Sequence, residues 1–336
     1  MAESFLAHPD REPSARSMPR VSAIEWRHLS LLNRWLVASR AAVLVMTFNA
    51  AAIGGLLAWQ DGAFEPLRWG LCLAGLLLAH ATNNQLNDLV DSERGIDGGN
   101  YFRNRYGTHV LEDGLLSRDQ LIGYIVGTGS LALAAGVALV VLSGPMVLAP
   151  LVLGAVFLLF YTHPFKQWGL GEVAVLLVWG PLMIGGTYLA VTGHWSHEAA
   201  LLGLLCALGP TAVIFGKHID KLALDREKGV YTLPVRLGEE PSRALTVAFI
   251  WGQILGTVVA VAAGWLPWPT LIALAAVPQA VELTRVYREP APATPPADYP
   301  AEVWPLWFVA HAFGFTRAFG LLFLLGLGIG VALTAV

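Results

Sequence analysis

The run Asn83-Asn84-Gln85-Leu86-Asn87-Asp88-Leu89-Val90-Asp91-Ser92-Glu93-Arg94-Gly95-Ile96-Asp97 closes an otherwise apolar stretch. If the helix carrying Leu67 to Ala81 continues through it, Asn84, Asn87, Asp88 and Asp91 fall at i, i+3, i+4 and i+7 and share one stripe. Gly95 offers a turn that brings Asp97 back toward the same stripe. Carboxylates at membrane depth are costly, so their presence is a functional signal. Several of them on one stripe repel each other unless cations neutralise them, and hard oxygen ligands suit Mg²⁺. A solvated helix end would account for one Asp, but not for this run. The stripe is expected to hold a metal and, with it, an anionic substrate.

A second polar segment reads His218-Ile219-Asp220-Lys221-Leu222-Ala223-Leu224-Asp225-Arg226-Glu227-Lys228-Gly229. His218, Lys221 and Asp225 share a helical face, while Asp220 points about 100° away from Lys221 on a regular helix. The plain alternative is an amphipathic helix end with an i,i+4 link between Lys221 and Asp225. A third segment, Tyr161-Thr162-His163-Pro164-Phe165-Lys166 followed by Gln167-Trp168-Gly169, forms a tight loop. There Lys166 offers a point charge for a phosphate or simply marks the cytoplasmic side, and Tyr161 reads first as an interface aromatic. The two acidic segments are expected to face each other across a cavity. A diphosphate bridged to them by two or more Mg²⁺ ions would balance the charge, with Lys and Arg closing the remaining side.

Membrane helices must position these groups. The chain of 336 residues is 55% hydrophobic and 13% charged, with a mean hydropathy of +0.58, a composition foreign to soluble domains. Its net charge of −3 gives no basis for a nucleic-acid partner. Cys72 and Cys206 both lie in apolar stretches and suggest no disulfide framework. Apolar stretches long enough to cross a bilayer occur about nine times, at 36–59, 67–88, 121–141, 145–161, 171–192, 199–217, 245–265, 270–287 and 304–336. The even-numbered connections carry Arg94, Arg103, Arg105 and Arg118, then Lys166, then Lys217 to Arg243, then Arg285 and Arg288; the odd ones carry only Arg68. The positive-inside rule therefore puts the N-terminus and both acidic segments in the cytoplasm and the C-terminus outside. The expected fold is all-α, with about nine transmembrane helices around a central cavity. Residues 1–33 are expected to be a loose polar extension, and residues 34–336 a membrane domain. The latter divides into two pseudo-equivalent halves, spans 1–4 and 5–8, plus span 9. Arg40 is close enough to the cytoplasmic end to snorkel, whereas Arg317 needs an interior partner. His80 and His311 read as hydrogen-bonded packing residues.

Together these segments resemble the UbiA superfamily of intramembrane aromatic prenyltransferases. The first matches its first aspartate-rich motif as Asn87-Asp88-x-x-Asp91-x-x-x-Gly95-x-Asp97, in a form similar to the branch that prenylates dihydroxynaphthoate for menaquinone synthesis. Asp113-Gly114-Leu115-Leu116-Ser117, the run from Tyr161 to Glu172, and Asp225-Arg226-x-x-Gly229-x-x-Thr232-Leu233-Pro234 resemble further signatures of that branch. Two positions depart. Aligned on Asp225, the first aspartate of the family's Asp-x-x-x-Asp motif falls at Lys221, with Asp220 adjacent, and His109 stands where the branch often has Arg. Either a distorted helix lets Asp220 reach the metal, or Lys221 contacts the diphosphate in place of one bridged ion; loss of activity is the third option.

The resemblance implies Mg²⁺-dependent transfer of an isoprenoid chain from a prenyl diphosphate to an aromatic acceptor in the inner membrane. Asp88, Asp91, Asp97, Asp220 and Asp225 are the implied metal ligands. Lys221 and Lys166 would meet the leaving group, and Asn84, Asn87, Tyr161 and Arg105 complete the substrate site. No obligate protein partner is implied; membrane lipid is. The rival acceptors are 4-hydroxybenzoate, homogentisate, a haem or a lipid alcohol, and the rival class is a non-catalytic binder of prenyl lipids.

Overall fold

The computed structural model describes residues 20–97, 102 and 107–334, and its ordered elements there are all helical. Arg105, expected at the substrate, lies outside the described residues. Two short helices come first, α1 (Ala23–His28) and α2 (Leu31–Ala38). They occupy ground expected to be a loose extension up to residue 33. A capping box between Ser22 and Glu25 starts α1, Trp26 is buried against Val110 and Leu121, and Val21 N–H donates to Thr108 Oγ1 at 2.8 Å.

The membrane helices follow: α3 (Val45–Gln60), α4 (Pro66–Glu93), α5 (Arg118–Ser143), α6 (Leu148–Phe160), α7 (Gly171–Leu177), α8 (Gly186–Thr192) and α9 (His197–Asp220). Two short pieces, α10 (Leu222–Glu227) and α11 (Leu233–Leu237), lead into α12 (Glu239–Ala262), α13 (Val277–Val286) and α14 (Phe308–Thr334). α7 and α8 form one rod through a π-helical stretch bent at Gly180 and Pro181. A Cβ on Gly180 would come within 2.9 Å of the Gly203 carbonyl oxygen, so the bent rod and α9 cross backbone on backbone.

Among the described residues, seven helical segments are long and apolar enough to cross a membrane: Ala41–Gln60, Arg118–Ser143, Pro145–Phe165, Gly171–Thr192, His197–Asp220, Glu239–Ala262 and Phe308–Leu333. Two of the nine expected stretches are not among them, each for a visible reason. α4 is 28 residues long, ~42 Å at 1.5 Å per residue, but its second half holds His80, the Asn residues and the aspartates. The eighth stretch is divided into a 3₁₀ segment (Trp268–Ala276) and the short α13.

The main core joins α3, the α7–α8 rod, α9, α12, α13 and α14 through Ile53, Ile184, Ile250 and the ladder Phe315, Phe319 and Phe323. α5 and α6 instead turn Leu131, Val141, Leu148 and Val152 outward. Rings of exposed apolar side chains on long helices suit lipid, and the chain is a multi-pass membrane protein.

Candidate active site

α4 runs through to Glu93, so Asn84, Asn87, Asp88 and Asp91 share its inner stripe, and all four are buried. The chain then turns at Gly95, whose φ of 67° suits glycine. The amides of Ile96 and Asp97 return to the Asp91 carbonyl at 2.8 and 3.4 Å, and this fold-back buries Asp97 beside the stripe. Asn87 Nδ2 and Lys166 Nζ both donate to Asp91 Oδ2, at 2.6 and 2.7 Å. Asn84 spends its Nδ2 on the Ser39 carbonyl at 2.9 Å, and Gln85 reaches Ser39 Oγ at 3.0 Å. These bonds anchor the end of α2, where Arg40 adopts a left-handed φ of 53° and donates to Asp88. Arg40 therefore does not snorkel. The break between α2 and α3 turns it inward, onto a buried carboxylate.

His109 joins this group. Its Nε2 lies 3.0 Å from Asp97 Oδ2 and 3.7 Å from Asp88 Oδ1, and the ring is 1% exposed. Ligand atoms of Asp88, Asp97 and His109 all fall within 4.8 Å of one another. Asp91 Oδ1 is buried with no hydrogen-bond partner among the described residues. A carboxylate oxygen left bare beside such a group is a site for a cation, so the donor set fits a divalent metal ion.

The second segment comes from the far half of the chain. α9 ends at Asp220, and Lys221, with φ −113° and ψ 21°, breaks the helix before α10. Lys221 Nζ and Asp225 Oδ1 pair at 2.8 Å, both buried, and Asp225 Oδ2 has no partner among the described residues. Lys228 ties the two segments together by donating to the Ile96 carbonyl at 2.6 Å. Lys166 stands between the two acidic sides. Burial would lower the pKa of its ammonium, but Asp91, and beyond it Asp225 and Asp97, raise it above the ordinary value and keep it charged.

Asp220 corrects an expectation. Its Oδ1 and Oδ2 accept from the N–H groups of Phe308 and Val309, at 2.8 and 3.0 Å. Those are the first amides of α14, so the carboxylate caps that helix instead of joining the acidic cluster. The close approach depends on Gly216, where a Cβ would lie 2.9 Å from Val309 N and 2.7 Å from Tyr287 Oη.

Beneath the acidic groups lies a cavity of about 830 Å³. Arg40, Asn84, Asn87, Tyr161 and Lys217 line its polar end, and Trp179, Leu182 and Phe313 are among its apolar walls. Val126, Leu133 and Leu159 belong to the lining as well, yet are 57–60% exposed. On the α5–α6 side the cavity is thus bounded by side chains of the outer apolar surface. Arg317 lines the cavity too, deeper along α14. His80 bonds Thr47 Oγ1 at 2.8 Å and His311 bonds the Trp307 carbonyl at 2.8 Å, as packing histidines do.

Arg40 and His109 are the site residues that sequence reasoning left out. An arginine at the edge of an apolar span was a signal for the first, whereas nothing but its place in the resemblance marked the second.

A profile of the UbiA prenyltransferase family matches residues 48–306. The chain is 28% identical over 239 residues to the 1,4-dihydroxy-2-naphthoate octaprenyltransferase of Escherichia coli, a match covering 68% of this chain and 76% of that one. It is 27% identical over 299 residues to the 2-carboxy-1,4-naphthoquinone phytyltransferase of Synechocystis, covering 85% and 87%. Among solved structures, a UbiA homologue from Aeropyrum pernix superposes with a TM-score of 0.62 at 17% identity, over 87% of this chain and 98% of that one, a likeness of fold. With two thirds or more of its length accounted for in each comparison, the chain belongs to the UbiA prenyltransferase family and is a membrane prenyltransferase.

Proposed function

We propose that the protein transfers an isoprenoid chain from a prenyl diphosphate to an aromatic acceptor of the 1,4-dihydroxy-2-naphthoate type, with Mg²⁺, in prenylquinone biosynthesis. The observation that carries this reading is the meeting of two acidic segments around Lys166 at the polar end of an otherwise apolar cavity. The names of the two relatives support the acceptor class.

Asp88, Asp91 and Asp97, with His109 and with Asp225 opposite, are the residues that would hold Mg²⁺. Bound there, Mg²⁺ supplies Lewis-acid stabilisation of the departing diphosphate. The chain's own groups do the rest. Lys166, Lys221 and Arg40 give charge-assisted hydrogen bonds to the diphosphate oxygens as the C–O bond breaks and negative charge builds there. The walls around Trp179 and Phe313 exclude water from the allylic cation, and aromatic faces stabilise it. Asn84, Asn87 and Tyr161, at the polar end, offer hydrogen bonds that orient the acceptor. The ring's electron pair forms the new C–C bond to the allylic carbon, and the ring regains aromaticity when a proton leaves it for water or a nearby base, the C–H electron pair returning to the ring. Arg105, outside the described residues, would be a further substrate-binding residue.

Nine crossings are part of this reading, α4 and the segment 268–286 adding two to the seven apolar helices. The arginine and lysine distribution supports a cytoplasmic N-terminus and active site and an outer C-terminus, and an inner-membrane location belongs to the same proposal. Residues 34–336 form the catalytic domain, in two halves plus a last span.

A panel assay tests the proposal: purified protein, radiolabelled prenyl diphosphate and each acceptor in turn, with products separated by thin-layer chromatography. Mg²⁺-dependent product with dihydroxynaphthoate is expected. Product with 4-hydroxybenzoate, homogentisate, haem or a lipid alcohol in its place would overturn the acceptor assignment. Binding of prenyl diphosphate without turnover across the panel would make the protein a carrier.

A further inference from the structure

Arg317 stands apart from the acidic groups, at a costly depth. It is the one arginine of α14, a helix without lysine, aspartate or glutamate, and it lies nine residues past Phe308, ~14 Å into the bundle at 1.5 Å per residue. A charge at such depth marks a functional contact. Thr316 Oγ1 donates to the Gly209 carbonyl at 3.2 Å, which sets Arg317 level with Gly209 and Pro210 of α9. Lys217, at the polar end of the cavity, lies seven residues beyond Pro210, ~10 Å along the same helix. A second ruler agrees. Glu172 meets His218 Nδ1 at 2.5 Å, beside Lys217, and Trp179 lies seven residues further along its rod, again ~10 Å deeper. Arg317 and Trp179 therefore share one level, about two helical turns below the polar end.

Arg317, Trp179 and Phe313 line both the main cavity and a small one of about 50 Å³ beside it, so they stand where the two meet. Arg317 is exposed along this lining. The indole Nε1 of Trp179 is buried with no hydrogen-bond partner among the described residues. Asn49 Oδ1 and Gln253 Oε1, whose residues border the small cavity, lack one there as well. Helix packing seldom leaves several polar atoms bare at one level. A guanidinium and an indole N–H are both donors, and together they suit an acceptor group that carries negative charge. The faces of Trp179 and Phe313 suit an aromatic ring.

Resting on the aromatic-acceptor reading above, we propose that Arg317 and Trp179 form the carboxylate end of the acceptor site. The guanidinium takes the carboxylate as a forked pair, and the indole N–H donates to one of its oxygens. The ring lies beside Trp179 and Phe313, with its hydroxyl side toward Asn84, Asn87 and Tyr161. The two anions of the reaction are thus held at opposite ends of one cavity. The carboxylate neither competes for Lys166 and Lys221 nor draws the metal from the diphosphate. It also becomes a basis of selection, because an acceptor without it leaves Arg317 and Trp179 unmatched in an apolar wall.

Binding tests this without turnover. Full-length protein in lipid nanodiscs, with empty nanodiscs as the blank, is titrated calorimetrically with 1-hydroxy-2-naphthoate and with 1-naphthol, the same ring without the carboxylate. Wild type is expected to bind the carboxylate ~10- to 100-fold more tightly, the scale of a charge-assisted pair. Arg317→Met is expected to abolish that preference, while 1-naphthol affinity and Mg²⁺-dependent binding of geranyl S-thiolodiphosphate, an unreactive analogue, stay within ~2-fold. Trp179→Phe, which leaves α14 untouched, is expected to reduce the preference by ~3- to 10-fold. In steady-state assays Arg317→Met should raise the KM of the acceptor and spare that of the prenyl diphosphate. No preference in wild type, a preference retained in Arg317→Met, or an equal fall in analogue binding there would overturn the inference and leave the prenyl-transfer reading standing. A wild-type chain that binds the diphosphate analogue but neither naphthalene would remove the acceptor class, and the inference with it.

Discussion

Replacing Asp220 separates a helix cap from a metal ligand. Its two oxygens accept from consecutive amides of α14 at 2.8 and 3.0 Å, in a half-buried position. A net charge-assisted bond of this kind stabilises by ~1.5–3 kcal/mol, whereas loss of an ordinary cap costs ~0.5–2 kcal/mol. The carboxylate's own desolvation, relieved in the alanine variant, offsets part of the loss, so Asp220→Ala is expected to cost about 2–4 kcal/mol. Asp220→Asn keeps one acceptor oxygen and should lose about half as much. Thermal denaturation in detergent, followed by size-exclusion recovery, would rank wild type above Asn above Ala. Metal count and Mg²⁺ dependence should be unchanged in whatever fraction remains folded. An Asp220→Asn protein with wild-type thermal stability and a lost metal would refute this assignment and return Asp220 to the acidic cluster.

Three further outcomes are expected. Gly216→Ala pushes a methyl against Val309 and Tyr287, disturbing the bond from Tyr287 Oη to the Phe308 carbonyl at 2.8 Å; overpacking of this kind costs ~1–3 kcal/mol, and an unshifted melting curve would contradict it. Lys166→Met removes the ammonium 2.7 Å from Asp91 and should lower kcat/KM by ~100-fold or more in steady-state assays, with a change below tenfold counting against a role at the leaving group. Asp88→Ala and Asp91→Ala should each abolish Mg²⁺-dependent product formation, as EDTA should in the wild type, and product persisting in either variant would exclude that carboxylate from the metal site.

The first acidic stripe was legible in the sequence because a helix repeats every 3.6 residues and α4 stays regular to Glu93. Asp97 followed from one glycine. The second segment was legible only in part. The Lys221–Asp225 pair obeys i,i+4 spacing, and Asp220, still within α9, points away from it as on a regular helix, so the distortion that would have carried Asp220 to the metal does not occur. The partner of Asp220 lies 88 residues away, at the start of α14, and no local pattern announces such a contact. Arg40 was misjudged because its direction depends on a left-handed residue at a helix junction, an arrangement set by Ser39, Asn84 and Gln85 in concert. The spans were legible by hydropathy wherever helices face lipid, as α5 and α6 do. They were harder to delimit at α4 and at 268–286, where polar function or a change of helix type interrupts the apolar run.

The exposed lining residues Val126, Leu133 and Leu159 bear on how the enzyme meets its substrate. A prenyl tail leaving through water would expose ~0.8 kcal/mol per CH₂, about 4 kcal/mol for each five-carbon unit, slowing exit by ~1,000-fold per unit. A wall continuous with the outer apolar surface offers a sideways route without that cost. The substrate is then dissolved in a two-dimensional solvent, and its effective concentration is a mole fraction among lipids. Adding inert lipid at constant bulk substrate should dilute it and slow turnover, so this chain's kinetics belong to the surface composition of the bilayer around it.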